Sequence, residues 1–133
     1  MTSGGRPARL GGRPPAARLA GLERRPLPGG LTLLVARDRG SRRRGLTGLD
    51  RLPAGHALLL QPCRSIHTLG MRFALDLLWL DADGTLVRLD RDVGARRLRT
   101  CLRASAVIEA AAGEGERVAA ALRFGASAPP PAP

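Results

Sequence analysis

The sequence has 133 residues, 22 of them Arg and none Lys, against 11 acidic residues, for a formal charge of +11. Two Cys exclude a disulfide-dense secreted scaffold, and two Phe, one Trp and no Tyr exclude the aromatic stacking platform of a single-strand nucleic-acid binder. One domain fits this length, its core must come from Leu, Val, Ile and Ala, and all-Arg basicity beside abundant Ala, Gly and Pro matches a GC-rich bacterial genome as well as it matches phosphate binding.

Met1 to Gly30 mix Pro, Gly, Ala and Arg without hydrophobic periodicity, a composition that predicts a disordered segment over 1–30. The segment holds six Arg and one Glu, a net +5 of the total +11, so the charge is spread along the chain and not focused on one face as phosphate recognition requires. It contains no apolar run of signal-peptide length, and ALDLLWL, the nearest thing to a membrane span, is under half the ~20 residues a span needs. A soluble, cytoplasmic protein is expected, with one β-rich domain over 31–126 and a Pro-rich disordered tail over 127–133.

In chain order, Leu31–Ala36 (LTLLVA) predicts a strand with Leu31, Leu33 and Val35 on one face. Ser41 is the candidate N-cap of a short helical segment, RRRGLTGL, and ALLLQ after a Pro-Ala-Gly turn predicts a second, buried strand. From Phe73 onward Phe73, Leu75, Leu77 and Trp79 alternate with Ala74, Asp76, Leu78 and Leu80. Period two with both faces apolar predicts a central strand covered on each side. DADG, Asp81 to Gly84, supplies a tight turn into TLVRLD, expected as a partner strand with one wet face. The Arg-rich stretch 91–103 reads as a long exposed connection. AVIEAAAG suits a strand through Val107 and Ile108, although its Ala content is equally helical, and ERVAAALR predicts a helix ended by Gly125.

Chemistry concentrates between Cys63 and Asp76. On a strand, even spacing aims Cys63, Ser65 and His67 at one face, and Cys101 joins them if the chain folds back. Two thiolates and an imidazole suit zinc, but a structural site wants four ligands, only His56 is left as a strong fourth, and CxxC is absent, so Cys63, His67 and Cys101 are weak metal candidates. Cys63 and His67 could alternatively form a nucleophilic pair, yet no third group stands out to orient the imidazole, and a Cys63–Cys101 disulfide is a further option. A small thiol beside a satisfied histidine explains the same residues without any chemistry. Asp76, a carboxylate inside an apolar strand, needs a partner, for which Arg72 and Arg97 are candidates. Asp81 and Asp83 serve the turn. There is no phosphate loop and no GxSxG.

As an ordered series these residues resemble a known family. Gly45-Leu46 after a basic turn is followed by Cys63, Ser65, Ile66, His67, Thr68, Gly70, Met71, Arg72 and Phe73. Leu75-Asp76 precedes an apolar strand, and the DxxG turn, the Arg-to-Cys step and Ala-x-x-x-Ile-Glu come after it. Over roughly Leu31 to Ala126 the chain resembles the bacterial and archaeal domain of unknown function 192. The resemblance implies a small, mainly β domain (α+β), a compact barrel-like antiparallel or mixed sheet with one or two short helices, and no established activity. Ala74 and Ala95 stand where the family pattern has proline, and Gly125-Ala126 where it has Gly-Asp.

The sequence therefore predicts a binding or accessory module without an enzymatic role and without a cofactor, its candidate surface formed by Cys63, Ser65, His67, Asp76 and Cys101. The alternatives are a thiol- or zinc-dependent enzyme using Cys63 and His67, and an Arg-rich nucleic-acid binder.

Overall fold

The computed structural model describes residues 19–126. Eight strands are described: β1 (Glu23–Leu27), β2 (Leu31–Ala36), β3 (His56–Leu60), β4 (Ser65–His67), β5 (Leu75–Leu80), β6 (Leu86–Val93), β7 (Leu98–Thr100) and β8 (Ala106–Ala111). Helix α1 (Arg39–Arg44) lies between β2 and β3, and α2 (Gly115–Ala126) follows β8. Six strands make one mixed sheet in the order β1-β2-β3-β8-β5-β6, and β4 and β7 make a separate antiparallel pair. The fold is mainly β, as expected. The large sheet stays open, with β1 and β6 as edges, so it is barrel-like only in its coverage on both faces.

Strand alternation divides the core into two layers. Leu31, Leu33 and Val35 of β2, Leu78 and Leu80 of β5, and Ile108 and Ala110 of β8 pack with Val118, Ala119 and Ala121 of α2. Leu34, Leu58, Leu75, Leu77, Trp79 and Val107 face the other way, beneath Leu46, Leu49 and Leu52 of the segment after α1 and Ile66 of β4. Each residue of β5 is buried, which fits its place between β8 and β6 and the doubly apolar pattern read from the sequence. The DADG turn forms as expected: the Asp81 carboxylate accepts the Asp83 and Thr85 N–H groups, and Gly84 takes φ +84.

Five local expectations are corrected. The disordered segment was expected to reach Gly30, but Glu23–Leu27 is a strand. Gly29 and Gly30, at φ +83 and +77, return the chain so that β1 pairs antiparallel with β2, and Pro26 is tolerated because β1 is an edge. Composition conceals it, since Leu27 is the one aliphatic core former in ERRPL. The rest of that expectation, residues 1–18, and the expected tail over 127–133 lie outside the described residues.

Helix α1 is capped by Asp38, not Ser41, and ends before the expected segment does. The Asp38 carboxylate accepts the Ser41 N–H and hydroxyl, each at 2.8 Å, offsetting the basic residues that follow.

In β6 a register shift around Val87 places Leu86 opposite Leu80 and Leu89 opposite Leu78, on the α2 side. Arg88 and Asp90 fall opposite Trp79 and Leu77. Instead of a wet face, Asp90 accepts the Trp79 indole N–H at 3.0 Å and the Arg88 guanidinium at 2.9 Å, and Arg88 lies over the indole ring.

The exposed connection expected over 91–103 contains the end of β6 and all of β7, which pairs with β4. Thr68, fully buried, holds that loop: its hydroxyl donates to the Gly94 carbonyl and accepts the Arg97 N–H, both at 2.7 Å. Helix α2 also runs past Gly125 to Ala126. No helix among the described residues is long and apolar enough to cross a membrane.

Candidate functional site

The parallel pair β2–β3 requires a crossover, and α1 with the turn after it provides one. That crossover leaves a cavity of about 290 Å³ between α1, the β3–β4 connection, β4 and the sheet. The volume is at the small end of ligand pockets, which run from about 300 to 1,000 Å³. Arg39, Arg42 and Arg44 line it from α1, and Cys63, Ser65 and His67 from the other side. Leu46, Leu60, Ile66 and Met71 give it apolar walls, and Glu109 is also part of its lining.

Glu109 lies on β8, in the middle of the sheet, paired with Leu58 of β3 and Leu77 of β5. Strand alternation puts it on the crossover side, beneath Gly45 and Leu46. It is 4% exposed, and its Oε1 is buried without a hydrogen-bond partner. Burial pushes the carboxyl up to about 7 from an ordinary value of 4.5, while a backbone hydrogen bond from Leu46 pulls it part of the way back. Gly45 makes this approach possible. It has φ +48 and ψ −128, and a Cβ there would stand 3.1 Å from Oε1.

Arg42 is fixed in place: its Nε donates to the Arg37 carbonyl at 3.0 Å and its Nη1 to the Pro62 carbonyl at 3.1 Å. Cys63 feels both Arg42 and Glu109. Burial pushes its thiol up and Glu109 adds to that, while a backbone hydrogen bond from Ser65 and the Arg42 charge oppose it; the neutral thiol itself donates to the Ser65 carbonyl at 3.3 Å. A raised thiol is the reverse of what an activated nucleophile needs.

Among the residues predicted from sequence, Cys63, Ser65 and His67 line the cavity, although Cys63 precedes β4 and Ile66, which period two would turn the other way, lines it too. The Ser65 hydroxyl is 3.0 Å from that of Thr100, and His67 Nδ1 accepts the Leu69 N–H at 3.3 Å. Cys101 does not join them; it is buried in the core layer, its N–H bonded to the Arg64 carbonyl. Both cysteines are free, so the disulfide option is not realised. Among the described residues no three His, Cys, Asp or Glu side chains form a group that could hold a metal ion.

Asp76 is also elsewhere, and its partners are not the expected arginines. Its carboxylate accepts the backbone N–H groups of Asp92, Gly113 and Gly115, at 2.9, 3.0 and 2.8 Å, tying β6 and the start of α2 to β5. Arg72 pairs with Asp50 instead, and the Arg97 backbone N–H bonds Thr68.

Sequence reasoning had Gly45 and Glu109 within the family series but not in the candidate surface, and it missed the arginines of α1. The signal for Glu109 was present, a lone carboxylate within AVIEAA, the same signal that drew attention to Asp76.

Two solved structures share the fold. A chain from Sinorhizobium meliloti 1021, named only provisionally as a transcription regulator, superposes with a TM-score of 0.60 at 21% identity, covering 71% of this chain and 82% of that one. A protein of unknown function from Novosphingobium aromaticivorans DSM 12444 gives 0.59 at 16% identity, covering 81% and 93%. No curated protein matches the sequence significantly. The model of the domain of unknown function 192 (DUF192), described as an uncharacterized ACR, matches residues 23–121, and the chain belongs to that family.

Proposed function

We propose that this β-rich domain is a small-molecule binding module that acts without turning its ligand over, the ligand occupying the cavity under α1. The observation that carries the reading is the Glu109 carboxylate, buried at that cavity with one oxygen unpartnered. A buried polar group without a partner costs on the order of 1–3 kcal/mol, a cost that a bound ligand would relieve. The raised Cys63 thiol, which donates to a backbone carbonyl, supports binding over thiol catalysis. Two free thiols suit a reducing compartment, in keeping with a cytoplasmic module. The regulator name of the Sinorhizobium chain is not extended to this one, because 21% identity carries the fold alone.

Amide chemical-shift mapping with a small-molecule fragment library tests the reading. Fragments that shift Gly45, Leu46, Ser65 and His67 together, and are recovered unchanged, are the expected result. A library that moves none of these amides, or a fragment converted by the protein, contradicts it.

A further inference from the structure

We infer that the ligand of this cavity is a small apolar zwitterion of the α-amino-acid class, its ammonium seated on Glu109 and its carboxylate on Arg42; the inference rests on the binding reading above. The cavity lining carries both signs of charge, and among the described residues no ion pair joins Glu109 to Arg42. The Glu109 Oε1 has no hydrogen-bond partner, and Gly45 keeps the space beside it free of a side chain. Two backbone carbonyls hold the Arg42 guanidinium at the wall. Cys63 lines the same cavity as both, and its thiol feels each charge.

The groups that face Glu109 define what it can accept. Leu58 and Leu77, its neighbours on β3 and β5, are apolar. Arg39, Arg42 and Arg44 from α1, Cys63 from the connection before β4 and His67 from β4 are the charged or titratable residues around the cavity. None of these arginines is ion-paired with Glu109 or supplies its missing partner. A buried carboxylate without a counter-charge takes either a proton or a cation, and an ammonium supplies both the charge and the N–H donors. The walls of Leu46, Leu60, Ile66 and Met71 suit an apolar side chain, and the small volume limits its length.

The sign of the pH dependence follows. An ammonium needs ionised Glu109, so ligand affinity is full above pH 7 and falls by about tenfold per unit as pH drops below the carboxyl's value of about 7. Binding near neutrality releases a proton. A ligand carrying a carboxylate alone would behave oppositely, favouring protonated Glu109 and taking a proton up.

Calorimetry on the full chain at pH 8 and pH 6, with L-leucine, L-isoleucine, L-valine and L-methionine as probes, tests this. At least one is expected to bind, with proton release seen as a dependence of the heat on buffer ionisation. The expected loss is at least about thirtyfold in Glu109→Gln and in Arg42→Gln, with Arg117→Gln, on α2 across the sheet from the cavity, unaffected. For L-leucine the paired probes are 4-methylpentanoate, which lacks the ammonium, and L-leucinamide, which lacks the carboxylate; both should bind at least about thirtyfold more weakly. Proton release requires no variant and stands even if Glu109→Gln fails to fold. Equal binding of 4-methylpentanoate, proton uptake, or no binding of any of the four amino acids overturns the zwitterion. Fragment binding at the same amides would in each case leave the wider binding reading standing, and its absence would remove both.

Discussion

Asp76 and Glu109 are carboxylates set in adjacent apolar strands on opposite faces of one sheet, and they differ in what the backbone offers them. Three N–H groups converge on Asp76, from the bulged end of β6 and the start of α2, so its charge is spent within the fold. Gly115 fits there because a Cβ would stand 2.8 Å from the Asp76 Oδ2. Asp76→Ala would strand these donors, at a cost on the order of 3 kcal/mol or more. Denaturant unfolding should show this as a lower midpoint at unchanged slope, and a loss below about 1 kcal/mol would mean that water or a backbone shift replaces the carboxylate. Glu109 has no such cluster of donors, which is why it and not Asp76 belongs to the candidate site. The sequence marks each residue as a misfit in an apolar strand. It does not say which misfit the backbone satisfies, because the satisfying N–H groups lie 16 to 39 residues away along the chain.

At the scale of elements, α1 and the turn after it decide whether a cavity exists at all. Asp38 starts the helix, Gly45 ends it, and Leu46 drops into the core beneath. Gly45 and Gly48 both have positive φ, but only Gly45 faces a neighbour. Gly48→Ala should cost about 1 kcal/mol from backbone strain alone. Gly45→Ala should cost more, about 2–4 kcal/mol, because strain adds to the approach on Glu109, and it should abolish fragment shifts at Leu46. Equal losses in the two variants would show that the Glu109 contact relaxes freely.

The elements that were legible in the sequence, β2, β3, β5, the DADG turn, β6 and α2, have their own hydrophobic period or turn chemistry, whereas the Ala-rich β8 read equally as strand or helix. Those that were not legible, β1, β4 and β7, are short or edge segments ordered by a partner elsewhere. β7 exists because Leu98–Thr100 meets Ser65–His67, and no local pattern announces that pairing. The same holds for the site. Cys63, Ser65 and His67 are neighbours along one short stretch, whereas the arginines of α1 and Glu109 arrive from separate elements.

For the molecule as a whole, folding buries an acid in a sheet without giving it a counter-charge. Unfolded, the Glu109 carboxyl ionises near 4.5; folded, it holds its proton to about 7. Between these values rising pH favours the unfolded chain, which has released a proton that the folded chain retains. The penalty is absent below pH 4.5, grows through the window and is complete above pH 7, where it reaches about 3 kcal/mol. Glu109→Gln removes the titration and leaves every other group to cancel in the comparison. The direct test is equilibrium unfolding of both proteins, without added ligand, from pH 4 to pH 8. The stability of the natural chain should fall relative to Glu109→Gln by about 3 kcal/mol across that range, with the steepest change between pH 4.5 and 7. Parallel pH profiles for the two proteins would mean that Glu109 titrates as an ordinary, paired or solvated carboxylate, and would contradict the account of an unpartnered acid at a ligand site.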